Sequence, residues 1–414
     1  MRVTILLALV FMFFQTSFAK EIKVCKKCKY NTIVSAVAAA EDGDVIFIEK
    51  GIYKEGNIVI NKSISLKGID YPILDGENKT EILTIKANNI TVEGLQIQNV
   101  GTSYIEDRAG LRIRKSKNFI IKNNILINTF FGIYLEHVSD GVIENNKIVG
   151  EAEKEMSSGN AIHLWYCKRI QILKNKVRRH RDGIYLEFVD DSTVRENVSE
   201  DNLRYGLHFM FSNDDDYVNN EFRRNGAGVA VMFSKKLNMI NNLFEFNWGK
   251  TAYGLLLKEI YDAEIKQNTL KENTIGIYTE GSTRINYHSN DFLSNGWAIK
   301  ISGGCLDNNV NNNNFISNTF DLSIGSSNNN NSFDKNYWSG YSGYDLNRDG
   351  VGDVPYRPVK LFNYVVNETP EASILLRSLF VDIINYSEKV SPVFTPKNVI
   401  DNEPKMGRIS FKKN

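Results

Sequence analysis

The stretch YGLHFMFS (205–212) places His208 and Met210 two residues apart in an apolar run. Twenty-two residues after Met210, VAVMFS (229–234) places Met232 at the matching position. Imidazole with thioether suits copper: thioether favours Cu(I), and imidazole accepts either oxidation state. The same residues would also make a ligand-free patch of methionine and aromatics beneath a loop or a partner. The spacing alone leaves both readings open.

Other residues invite chemistry of their own. Cys25 and Cys28 form a CxxC followed by Lys29, and the absence of histidine there excludes haem attachment. A local disulfide or a soft-metal site remains. Cys167 and Cys305 are expected as buried free thiols. Asp345, Asn347, Asp349 and Gly350 alternate like the first half of a calcium loop, but Tyr356 stands where a bidentate Glu is expected. Calcium or a hydrogen-bonded turn closing the fold would each account for it. Glu136 and Glu187, with Tyr134, Trp165 and Tyr185, suggest a sugar-binding stripe or a glycosidase pair. Arg112 and Arg114 beside Tyr134 and Glu136 suggest structural ion pairs instead. No P-loop, GxSxG or HExxH motif occurs.

A repeat positions all of these residues. Glycines 110, 132, 183, 206, 228, 254 and 276, with Ala161 and Ala298 in the same role, each open a short run such as GIYLE or GLHFM. Their spacings are 22, 29, 22, 23, 22, 26, 22 and 22. A column of Asn124, Asn146, Asn175, Asn197, Asn220, Asn242, Asn268, Asn290 and Asn313 keeps the same rhythm. Each unit is too short for a helix pair and is rich in β-branched and aromatic residues. One coil per unit describes an all-β, right-handed parallel β-helix whose stacked asparagines bond from coil to coil. The Asn-rich stretch 307–331 reads as further coils.

Strand alternation sends the residues one and three after each glycine inward, and those two and four after it outward. The first outward column is Arg112, Tyr134, His163, Tyr185, His208, Ala230, Leu256 and Tyr278. The second is Arg114, Glu136, Trp165, Glu187, Met210, Met232, Lys258 and Glu280. His208 and Met210 then share a face, Met232 is the vertical neighbour of Met210, and His163 lies two coils below His208.

The ends differ from the repeat. Residues 1–19 have a basic residue, an apolar run and a small-x-small site, as expected of a secretory signal peptide. Without Arg2 the formal charge falls from +1 to 0, which argues against nucleic acid as a partner. Residues 32–44 predict a short helix and a turn that cap the first coil. The period is lost after Pro358, and 372–386 predicts an apolar-rich helix, too short to span a bilayer. Docking a membrane partner and folding back on the last coil are both open to it. The chain thus divides into a leader (1–19), a β-helix (20–358) and a tail (359–414).

GNAIHLWYC (159–167), RHRDGIYLEF (179–188), NLRYGLHFMFS (202–212), GAGVAVMFS (226–234), YGLLLKE (253–259) and NYW…YDLNRDGVGDVPYRPVKLF (336–362) together resemble the NosD family. The resemblance covers nearly all of the exported chain. It implies a periplasmic right-handed β-helix, not an enzyme, that helps supply copper to nitrous oxide reductase. The implied partners are an ABC-type ATPase and permease, a copper-chaperone lipoprotein and the reductase. It places the family's His-x-Met strand on His208 and Met210, the following methionine on Met232 and the histidine of its HLW strand on His163. No ATP-binding motif is present, so energy must come from a partner, and membrane association would run through the transporter. The alternative is a carbohydrate-binding or carbohydrate-cleaving β-helix.

Overall fold

The computed structural model describes residues 19–103, 105–249, 252–325, 330–376, 378–390 and 398–411. The leader expected at 1–19 falls outside them apart from Ala19. The chain winds as a right-handed parallel β-helix. Three parallel ladders run along it: two meet in a 25-stranded sheet through the long strand Ile162–Leu173, and the third is a 13-stranded sheet. Each strand pairs with the equivalent strand of the coils above and below. For example, Tyr205–Met210 pairs with Asp182–Asp190 and with Ala227–Met232.

The inward residues fill one continuous core. Ile133, Leu135, Ile184, Leu186, Leu207, Phe209, Val229 and Val231 are all fully buried. Packing such side chains in register is the main stabilising term.

Asparagines close the coils. The Asn220 carbonyl accepts from the Asn197 backbone N–H at 2.9 Å and the Asn197 amide at 3.0 Å. The Asn220 amide donates to Val194 O at 2.8 Å and to Asn242 Oδ1 at 3.0 Å. This pattern runs from Asn124 to Asn336. A second ladder joins Asn202, Asn225, Asn247, Asn273, Asn295 and Asn318. The residue before many ladder asparagines is also Asn, as at 123, 145, 219 and 241, and sits at φ between 52° and 57°. Asparagine tolerates that left-handed region better than most residues.

Both ends are capped. At the N-terminal end, helix α1 (Ile33–Ala39) is preceded by a coil strand, Glu21–Val24, that pairs with Val45–Ile48. The helix therefore closes a coil already begun. Glu55 accepts from the N–H groups of Ile33 and Val34, and Lys62 donates to the carbonyls of Val37, Ala38 and Ala40. Each charge complements its end of the helix.

The C-terminal tail differs from the expectation. The single helix expected at 372–386 is interrupted: a 3₁₀ turn (Pro370–Leu375) and α3 (Leu379–Val390) occupy that stretch, and a further helix, α2 (Leu361–Glu368), precedes them. Pro370 opens that turn, where its missing N–H and fixed φ suit a first helical position. Phe362, Val366 and Val381 pack on Phe320, so the helical segment folds back on the last coils. Leu379, Phe380, Ile383 and Tyr386 of α3 nonetheless remain exposed. Beyond them the chain returns. Asp401 accepts from the N–H groups of Lys335 and Asn336 and from the indole of Trp338, and so terminates the asparagine ladder.

Candidate metal centre

The register brings the expected columns together. Tyr134, His163, Tyr185, His208 and Ala230 are successive partners, as are Glu136, Trp165, Glu187, Met210 and Met232. The first column points away from the core yet is not an open surface. His163 is 9% and His208 6% exposed, so pointing outward from the coil does not expose these imidazoles. The cover is the column itself and its neighbours. Tyr134 packs with Phe131, Ala109 and Phe130 in a cluster separate from the main core. Arg112 stands 4.3 Å from the Tyr134 ring.

The two histidines differ. His163 is held between Tyr134 and Tyr185, with ring centroids 4.3 and 4.7 Å away. The Asn160 amide donates to its Nδ1 at 2.9 Å, which leaves the proton on Nε2. Burial, then the charges of Arg181 and Arg112, push its pKa down to about 3. Stacked between two tyrosines and with Nδ1 engaged, His163 is the more enclosed of the two rings. Tyr185 separates it from His208.

His208 has a freer ring. Its Nδ1 faces Arg204 at 3.3 Å, longer than a well-formed N–H bond, and its Nε2 has no hydrogen-bond partner. Arg204 is committed to Asp182, with bonds of 3.0 and 2.8 Å. Burial is the main force pushing the His208 pKa down to about 4; Asp182 opposes it, and Arg204 and Arg181 add to it. The imidazole is therefore neutral at pH 7, the form that binds metal. Ala230 follows it in the column where its predecessors carry rings, so bulk falls away beside the methionine pair.

Met210 and Met232 are half-buried register partners, with Glu187 below and Lys258 above. The residue after each member of their column turns the corner in the left-handed region: His137, Tyr166, Phe188, Phe211 and Phe233, at φ between 50° and 54°. Their rings stack in sequence, with centroids 5.2, 4.5, 5.1 and 5.2 Å apart. This spine beside the methionines, the Arg204–Asp182 pair and buried His180 escaped the sequence reading. The dipeptides MF (twice), EF, WY and EH at coil spacing were its one visible signal.

The remaining expectations fall elsewhere. Glu136 is held by Arg114 at 2.8 Å with Arg112 at 3.8 Å, and Glu187 accepts from the Tyr185 hydroxyl at 3.2 Å. Both carboxylates line a groove of roughly 870 Å³ with Glu81, Arg112, Trp165 and His163. Cys167 and Cys305 are free and buried, and Cys25 and Cys28 form a disulfide. In the Asp345 loop the carboxylates are taken by backbone N–H groups: Asp345 by Asp349 and Gly350, Asp349 by Val351, and Asp353 by Leu346. Those bonds hold the loop as a turn.

Residues 37–157 and 145–343 match the family described as "Periplasmic copper-binding protein (NosD)". The chain belongs to the NosD family. It is 30% identical over 370 residues to a protein of Pseudomonas aeruginosa named "Probable ABC transporter binding protein NosD", covering 85% of this chain and 86% of that one. A protein of the same name from Stutzerimonas stutzeri is 28% identical over 372 residues, covering 85% and 84%. Solved structures share the fold. The Dettilon tailspike protein has a TM-score of 0.56 at 15% identity, covering 73% of this chain and 66% of its own. A DFA-IIIase from Arthrobacter chlorophenolicus without its lid has 0.51 at 11%, covering 76% and 98%. The A-module of the mannuronan C-5 epimerase AlgE4 from Azotobacter vinelandii has 0.50 at 15%, covering 73% and 88%. At such identities the likeness concerns the NosD β-helix alone. No helix among the described residues is long and apolar enough to cross a membrane.

Proposed function

We propose that this protein is an exported, non-enzymatic copper-handling protein that serves the maturation of nitrous oxide reductase. Copper is its cargo, carried as Cu(I) by His208, Met210 and Met232. The observation that carries this reading is the unpartnered Nε2 of a neutral, buried imidazole, on the strand whose outward methionine is in register with a second methionine. Two thioethers and one imidazole make a soft site. Half-buried methionines on an outer face leave it open enough to release metal. His163, stacked between Tyr134 and Tyr185, lies at the margin of this site.

The family description supports copper, and the relatives' name supports work beside an ABC-type transporter. The ATPase and permease, a copper-chaperone lipoprotein and the reductase are the partners in this reading. The exposed apolar side chains of α3 are the surface that would meet the permease and tie the protein to the membrane. Periplasmic delivery depends on the leader at 1–19.

The test is competition for Cu(I) against a chromophoric chelator. His208→Ala with Met210→Ala and Met232→Ala should weaken Cu(I) binding at least tenfold and leave the circular dichroism spectrum unchanged. Equal binding by the triple variant would overturn the site.

A second reading, carbohydrate binding, is favoured by one observation: the groove beside Trp165 and Tyr134 on a fold that sugar-active enzymes share. It requires Trp165→Ala to abolish oligosaccharide binding and leave copper untouched.

A further inference from the structure

The Cys25–Cys28 pair lies on the first coil, far along the solenoid from His208. We propose that it is a second, redox-gated metal site: closed as a disulfide, and able to hold one Cu(I) between two thiolates when reduced. The site is independent of the His208 reading.

Four observations lead there. The bridge spans a sequence separation of three. So short a loop removes little chain entropy, so stabilising the fold is a weak reason for this disulfide. The turn also has its own hydrogen bonds: Cys25 N–H donates to Tyr30 O at 3.2 Å, and Cys28 N–H to Cys25 O at 3.1 Å. Opening the bridge therefore leaves the two side chains facing each other.

Thirdly, both cysteines are partly exposed, whereas Cys167 and Cys305 are buried. A dithiol can reach the first pair alone. Fourthly, Glu49 completes a cluster in which both sulfurs and one carboxylate oxygen lie within 4.8 Å of one another. The Glu49 backbone is fixed beside the turn. Its N–H donates to Val24 O at 3.0 Å, one step beyond the Val24–Ile48 register pair. The Tyr53 hydroxyl donates to the Glu49 carbonyl at 2.8 Å, with the Val24 carbonyl at 3.4 Å.

The chemistry balances with a dithiol reductant. Its two thiols transfer two electrons and two protons to the Cys25–Cys28 bond and become a disulfide themselves. The S–S bond breaks and two thiols form. Cu(I) then binds both sulfurs, and two protons leave to solvent. The complex carries one net negative charge, which Lys23, Lys26, Lys27 and Lys29 around the turn offset. Two thiolates suit a soft ion such as Cu(I), and the Glu49 oxygen is near enough to accept a hydrogen bond or assist an incoming ion.

The test uses the exported chain, oxidised or reduced with a phosphine that is then removed, titrated anaerobically with Cu(I) against a chromophoric chelator. Reduced protein should bind one more equivalent than oxidised protein and gain near-ultraviolet thiolate-to-copper absorption. Cys25→Ser with Cys28→Ser should lose the extra equivalent. The His208/Met210/Met232 triple variant should keep it, which separates this site from that one. Equal stoichiometry in the two redox states of wild-type protein would overturn the proposal. So would an extra equivalent that survives in the double serine variant, or a reduced pair that takes Zn(II) and refuses Cu(I).

Discussion

Coils carrying residues 131–233 and coils carrying residues 253–324 share strand register, asparagine ladders and an aliphatic core. Their outward positions differ. In the middle coils the first column is Tyr134, His163, Tyr185 and His208, all buried, and the corner after the second column is aromatic five times running. In the later coils the same positions hold Leu256, Tyr278 and Lys300, and the corner holds Glu259 and Gly281. The second column changes from Glu187, Met210 and Met232 to Lys258 and Glu280, an ion pair 3.8 Å apart. The backbone needs none of the middle-coil choices, because the later coils form without them. Buried imidazoles and aromatic left-handed corners both carry a free-energy cost. Costs confined to one stretch of a uniform scaffold mark where function was placed.

The largest effect should come from what the two regions share. Asn220→Ala in the middle and Asn290→Ala in the later coils each remove four hydrogen bonds and leave buried partners unpaired. Each should cost about 4 kcal/mol, read as a lowered urea midpoint. A cost confined to one variant would mean that the halves differ in scaffold as well as in surface.

The scaffold was legible in the sequence because a ladder residue must recur at every coil. The columns followed from strand alternation, so the Met210–Met232 pairing could be read before any coordinates. What covers a column is not periodic. The burial of His163 depends on Phe131, Asn160 and the rings of adjacent coils, which no spacing rule assigns. The second ladder was missed although its asparagines follow the first by five residues each time. The cap at Asp401 was missed because its partners are Asn336 and Trp338, more than sixty residues earlier.

The regions should also separate by pH. Burial holds His163 near 3 and His208 near 4, against 6.5 for a free imidazole. Between about pH 6.5 and 4 the unfolded chain therefore binds more protons at these sites, and their stabilisation, full above 6.5, is lost as pH falls. Asp321, in the later coils, is raised to about 6 by burial. There the folded state binds more protons between about pH 6 and 4, so stability rises as pH falls. His163→Gln should flatten the acid-side loss by roughly 1.4 kcal/mol per pH unit, and Asp321→Asn should remove a slope of opposite sign. Buried Asp215 in the middle coils has the same sign as Asp321, so each slope is read from a variant against wild type. Denaturant midpoints at pH 7, 6 and 5 make the measurement. Parallel slopes for wild type and His163→Gln would show that this imidazole is not buried neutral.

The smallest effect tests the aromatic corners. Phe211 stacks on Phe188 below and Phe233 above, whereas Phe233 stacks on Phe211 alone, with Glu259 beyond it. Each ring pair contributes about 1 kcal/mol. A bulky residue at φ near 50° loses about as much, and asparagine relieves most of that strain. Phe233→Asn should therefore leave the melting temperature within about a degree or two of wild type, while Phe211→Asn, which gives up two stacks for one relief, should destabilise by about 1 kcal/mol. The reverse substitution, Glu259→Phe, lengthens the spine by one ring into the later coils. It adds a stack on Phe233 and no new strain, because Glu259 already sits at φ 53°. A gain of about 1 kcal/mol there would mean that any coil of this solenoid accepts the spine. Its absence above Phe233 would then reflect what the methionine face must present, since the backbone would have tolerated another ring.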